Sequence, residues 1–162
     1  MDKELIFDPL TISKTVGALA AKINNVYPRD IKLTTLCVMN ASTVFHSDLI
    51  RSLTYPKIKS YFLTPEEITL DDHPYIFEDT FLLIIDTICD TGRTFARIQS
   101  AIEGANPFSI RTCCLLDKVA ARTNGFQPDY VGLTCPFEFV IGYGLDHEGI
   151  YRNLPSIYAL KD

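Results

Sequence analysis

The chain has 162 residues, of which 47% are hydrophobic and 22% charged, and a formal net charge of −5. That size and apolar content suit one domain around one core. The acidic balance counts against nonspecific nucleic-acid or membrane-surface binding, which draws on a basic excess.

No apolar run nears transmembrane length, and the opening MDKELIFDPL lacks a charged-then-apolar leader pattern, so a cytoplasmic protein is the expectation. Residues 10–25 put Ile12, Val16, Leu19, Ala20 and Ile23 on one stripe, predicting an amphipathic helix capped by Thr11 or Ser13. Pro28 and Asp30 end it. Residues 32–39 have the composition of a strand, and Asn40, Ala41 and Ser42 turn into a helix running to about Leu53. Val44, Phe45, Leu49 and Ile50 are its predicted inward residues. A further strand is expected over 55–63, closed by Thr64 and Pro65. The acid-rich segment 66–80 is a hairpin or a mobile loop; periodicity favours neither.

Residues 81–95, FLLIIDTICDTGRTF, organise the rest. Five apolar residues read as a buried strand, with the run ending at Asp86 and a second acid, Asp90, four residues on. Thr91, Gly92, Arg93 and Thr94 follow, and then Phe95, Ile98 and Ile102 recur at helical spacing to about Glu103. A strand therefore turns tightly into a helix N-terminus. Ligands sit at such strand ends in open α/β sheets, and free N–H groups with two threonine hydroxyls suit a phosphate.

Residues 109–118 predict a second buried strand ending in Asp117 and Lys118, and short β segments are expected at 129–134 and 139–143. Strands alternating with helices give an α/β fold with a parallel centre. Cys37, Cys89, Cys113, Cys114 and Cys135 have no C-x-x-C spacing and mostly apolar neighbours, so they read as small core residues. His46, His73 and His147 are scattered and suggest no metal constellation.

Taken in order, IIDTICDTGRT, then LLDK (115–118), then PDYVGLTCPFEFVIGYGLDHEGIYR (128–152) resemble the purine phosphoribosyltransferases, specifically the hypoxanthine–guanine type. Over roughly residues 10–160, that resemblance implies a type I phosphoribosyltransferase-like fold. It has a mostly parallel twisted sheet flanked by helices, and a small hood formed by the N-terminal segment and about 129–162. The implied reaction moves a 5-phosphoribosyl group from 5-phosphoribosyl 1-pyrophosphate to a 6-oxopurine, releasing pyrophosphate with Mg²⁺, in purine salvage.

The resemblance also assigns roles. Asp86, Thr87, Asp90, Thr91, Gly92, Arg93 and Thr94 would bind the phosphoribosyl group and its 5′-phosphate, Arg93 through its backbone. Asp90 would be the catalytic acid that takes or shares the purine N7 proton. Lys118, Phe139, Val140 and Asp146 would bind the purine, Lys118 donating to the 6-oxo group. That donor favours hypoxanthine or guanine over adenine, whose 6-amino group is itself a donor. Asn40, Ala41 and Arg152 would hold pyrophosphate, and Asp146 and Asp86 the metal. A homodimer or homotetramer is implied as well.

Three positions depart from the pattern. Thr87 stands where the second acid is expected, which would weaken the grip on ribose or metal. Asn40-Ala41 replaces the usual Lys-Gly of the pyrophosphate loop, removing a cation, and Ala41 counts against the cis peptide common there. After Ser60-Tyr61, where the closing loop of relatives begins, the usual Ser/Thr/Gly-rich run is missing. These donor-side departures leave an alternative: a catalytically weak relative that binds nucleotide or 5-phosphoribosyl 1-pyrophosphate in a regulatory role.

Overall fold

A computed structural model describes residues 2–68, 76–137 and 139–161. Its elements in chain order are β1 (Asp2–Phe7), α1 (Pro9–Asn24), β2 (Lys32–Val38), α2 (Thr43–Arg51), β3 (Lys57–Leu63), β4 (Phe81–Cys89), α3 (Arg93–Ile102), β5 (Ser109–Asp117), β6 (Tyr130–Thr134), β7 (Val140–Ile141) and β8 (Ile157–Lys161). Single 3₁₀ turns stand at Glu103–Ala105 and Val119–Ala121.

Five strands form one parallel sheet in the order β3-β2-β4-β5-β6. A parallel centre is buried on both faces, which is why β4 and β5 are nearly continuous apolar runs. Side chains alternate across β4: Leu83 and Ile85 pack with Ile12, Val16, Phe45 and Leu49 from α1 and α2. Leu82 and Ile84 pack with Phe95, Ile98 and Ile102 from α3 on the other face. A second, antiparallel sheet, β1-β8-β7, joins the two ends of the chain, with Asp2 opposite Lys161 and Val140 opposite Ala159.

Several local expectations change. The first helix starts one residue earlier and is capped by Asp8 instead of Thr11 or Ser13, because Pro9 has no N–H to lose at the first helical position and Asp8 accepts the Thr11 N–H at 2.7 Å. On α2 the buried set is Phe45, His46 and Leu49, while Val44 is exposed. His46 goes inward because Nε2 has a partner in Thr35 Oγ1 at 2.9 Å, and burial lowers its pKa to about 4. Ser60 and Tyr61 do not open a loop: both lie inside β3, paired with Thr35 and Leu36, and the Ser60 hydroxyl bonds that of Thr35. Of the acid-rich segment, residues 69–75 fall outside the described ones. The five cysteines are buried and free. Among the described residues, no helix is long and apolar enough to cross a membrane.

Candidate active site

Strand β4 continues past the expected stop at Asp86 to Cys89, pairing Asp86 with Cys114 and Cys89 with Asp117 of β5. The extra length carries Asp90 out to the sheet's carboxyl edge. Beyond it, Gly92 adopts φ +81°, and α3 starts at Arg93. Only glycine suits that place: a Cβ there would come within 2.7 Å of Asn124 Oδ1 and 2.9 Å of Arg122 Cδ, in a backbone region L residues avoid.

This turn walls a cavity of about 290 Å³ shared with the β2–α2 loop and the turn before β8. Asp86, Asp90, Thr91, Gly92 and Thr94 line one side; Asn40, Ala41, Asp146 and Arg152 line the other. The peptide bond between Met39 and Asn40 is cis. The cis bond thus occurs with Ala41 in the loop, against the expectation from its sequence. Gly144 seats against this loop so closely that a Cβ would collide with the Ala41 carbonyl.

The cavity's acids differ in surroundings. Burial pushes the Asp86 carboxyl up to about 7, against the N–H groups of Thr87 and Ile88, which favour its ionised form. Asp146 accepts the Gly149 N–H at 2.8 Å and pairs with Arg152 at 2.8 Å, while Arg152 also donates to the Gly144 carbonyl at 2.7 Å. The two residues thus form a salt bridge and still face the cavity together.

Asp90 is shared. Its Oδ2 meets Lys118 Nζ at 3.3 Å, and both residues line a second cavity of about 360 Å³ with Cys135, Pro136 and Phe137. The Lys118 N–H donates to the Cys89 carbonyl at 2.9 Å, so the end of β5 is tied beside the end of β4. One carboxylate therefore separates the cavity at the start of α3 from a pocket flanked by an aromatic ring and a lysine.

Four of the expected residues line neither cavity. Thr87 is fully buried, and its hydroxyl donates to the Ala41 carbonyl at 3.1 Å. Strand alternation sends it to the α2 face while Asp86 takes the other, so it cannot face a donor beside Asp86. Arg93 is exposed and turns its side chain to solvent. Phe139 is 45% exposed, its ring edge-on to His147 with centroids 5.2 Å apart. Val140 is buried and held in β7 by Ala159. Sequence reasoning missed Arg122, whose buried guanidinium meets Asp117, Cys89 and the Asp90 carbonyl. A lone arginine in a polar loop carries no signal of that position.

Hydroxyls, a helix start and an acid between two cavities at the carboxyl edge of a parallel sheet define an open α/β fold of the class that seats ligands at its strand ends. The chain belongs to the phosphoribosyl transferase domain family, whose sequence pattern matches residues 5–148. It is 34% identical over 164 aligned residues to a hypoxanthine-guanine phosphoribosyltransferase from Staphylococcus epidermidis, spanning 95% of this chain and 89% of that one. Among solved structures, the enzyme of that type from Leishmania tarentolae in complex with GMP is 28% identical. It superposes with a TM-score of 0.91 over 100% of this chain and 99% of that one. The Trypanosoma cruzi hypoxanthine phosphoribosyltransferase in complex with IMP is 29% identical, with a TM-score of 0.85 over 97% and 93%.

Proposed function

We propose that the protein transfers the 5-phosphoribosyl group of 5-phosphoribosyl 1-pyrophosphate to hypoxanthine or guanine, as an enzyme of purine salvage. The observation that carries this reading is Asp90, the acid common to the cavity at the start of α3 and the pocket beside Lys118. A group transfer between two ligands needs both reacting atoms at one place, and a shared wall supplies it.

In this reading the 5′-phosphate lies on the N–H groups and hydroxyls of residues 91–94 at the start of α3, where the helix dipole favours an anion. Asp86 accepts the ribose hydroxyls. The purine enters beside Lys118, which donates to its 6-oxo group, and Asp90 takes or shares the N7 proton as N9 bonds to the sugar carbon. The carboxylates also stabilise the positive charge that builds on the ribose as the bond to pyrophosphate breaks. Arg152 and the loop at Asn40 and Ala41 receive the departing pyrophosphate.

The acids fit a hard divalent cation. Asp86 is half-buried on the cavity wall, with backbone N–H groups as its favourable partners, and an ion would relieve the cost of its negative charge. A Mg²⁺ ion takes one or two protein carboxylates and completes its shell with phosphates and water. Asp86 and Asp146 are its proposed ligands. Bound there, Mg²⁺ would neutralise charge on the leaving pyrophosphate. The same resemblance carries the expectation of a homodimer or homotetramer, which sedimentation velocity would count.

The test is a screen of radiolabelled bases with 5-phosphoribosyl 1-pyrophosphate and Mg²⁺. Nucleotide should form from hypoxanthine or guanine, and Asp90→Asn should lower kcat by about 10²–10⁴-fold. Failure to turn over any base, alongside tight nucleotide binding, would replace this reading with a regulatory one.

A further inference from the structure

We propose that Arg122 is a positioning residue: by gripping the Asp90 carbonyl from behind the turn, its guanidinium sets the affinity for the 5′-phosphate. The inference rests on the phosphoribosyl-transfer reading and names a residue outside the cavity that the transfer depends on.

The physical problem is the orientation of peptide planes. A phosphate cradle needs N–H groups facing the ligand, and in a trans peptide the carbonyl points the opposite way from the N–H. Each inward N–H therefore sends a carbonyl outward, and a donor on that carbonyl holds the plane against rotation. Here the outward carbonyls are provided for. Arg122 Nη1 donates to the Asp90 carbonyl at 3.0 Å, which fixes the plane that carries the Thr91 N–H. The Thr123 N–H donates to the Thr91 carbonyl at 3.2 Å, which fixes the plane that carries the Gly92 N–H.

Arg122 is itself held. Its side chain is 10% exposed, and its guanidinium also bonds Asp117 Oδ1 and Cys89 Sγ. Asp117 neutralises the buried charge, and the fork geometry lets one planar group serve the ends of both β4 and β5. The 3₁₀ turn at Val119–Ala121 spaces Arg122 four residues after Lys118, with the Arg122 N–H on the Val119 carbonyl at 3.2 Å. A continuous segment thus presents Lys118 to the Asp90 carboxylate from one side and Arg122 to the Asp90 carbonyl from the other. The ring of Phe126 stacks on Phe95 of α3 at 5.5 Å and 12°, closing the outer face of the turn. A lysine at 122 could keep one contact and could not span all three.

Removing Arg122 alone would leave Asp117 buried and unpaired, so two variants are used. Arg122→Lys retains the charge, and Asp117→Asn with Arg122→Met removes the pair together. Binding of GMP and of guanosine is measured for each by calorimetry, beside Michaelis constants for the donor and the base. In variants that melt cooperatively, GMP affinity should fall at least tenfold and the donor KM should rise to match. Guanosine affinity and the base KM should stay within about twofold. Equal losses for GMP and guanosine, or no loss for either, would overturn the proposal and reduce Arg122 to a structural ion pair. A wild-type protein that binds GMP no better than guanosine and turns over no base would instead sink the transferase reading, and this inference with it.

Discussion

Pleating sends Asp86 and Thr87 to opposite faces of β4, and the two side chains answer to different constraints. Thr87 supports the β2–α2 loop through the Ala41 carbonyl. Thr87→Val leaves that carbonyl one donor short and should cost about 1–2 kcal/mol in urea unfolding. Thr87→Asp sets a buried carboxylate against a carbonyl oxygen and should cost more than the valine, about 2 kcal/mol or above. Asp86 is displaced in its titration instead. Its folded value of about 7 lies above the ordinary 3.8, so the unfolded chain releases this proton first as pH rises. The stability Asp86 contributes is complete below about pH 4 and declines as pH climbs to about 7. Without ligand or metal, Asp86→Asn should therefore gain in melting temperature relative to wild type across that window and hold level above it.

At the scale of elements, the turn between β4 and α3 depends on a backbone shape that one residue type tolerates. Gly92→Ala places a Cβ at φ +81° against Asn124 and Arg122. It should cost roughly 1–3 kcal/mol by denaturant unfolding and weaken GMP more than guanosine, because the strained plane belongs to the phosphate cradle. The helix that follows needs no help from its cap: Gly92 offers no side chain, and the apolar stripe of Phe95, Ile98 and Ile102 anchors α3 to the sheet.

Across the whole molecule, the antiparallel sheet and the parallel sheet meet where the site lies. Tyr143 is buried and its hydroxyl donates to Asp48 of α2 at 2.6 Å, while Gly144 rests on the Ala41 carbonyl. These contacts hold Asp146 and Arg152 over the cavity. Tyr143→Phe removes a bond to a charged acceptor and should cost about 1–3 kcal/mol. Hydrogen exchange should quicken at the amides of Val140, Ile141 and Ile157–Lys161 more than in β4 and β5, since the loss is local to that sheet.

The parallel sheet, α3 and the turn from Asp90 to Thr94 could be read from the chain because each rests on short-range pattern: an apolar run, a glycine among hydroxylated residues, a 3.6-residue stripe. Strand β1, β8 and their pairing across the chain carried no such signal, because short strands of mixed polarity look like loops until a partner 150 or so residues away completes their hydrogen bonds. Motif order likewise indicated Lys118, Asp146 and Arg152 as site residues. Only the folded chain decided that Lys118 meets Asp90, that Thr87 faces away from Asp86, and that Arg122 stands behind the turn. Those outcomes depend on strand register and on which outward carbonyl needs a donor, and local sequence holds neither.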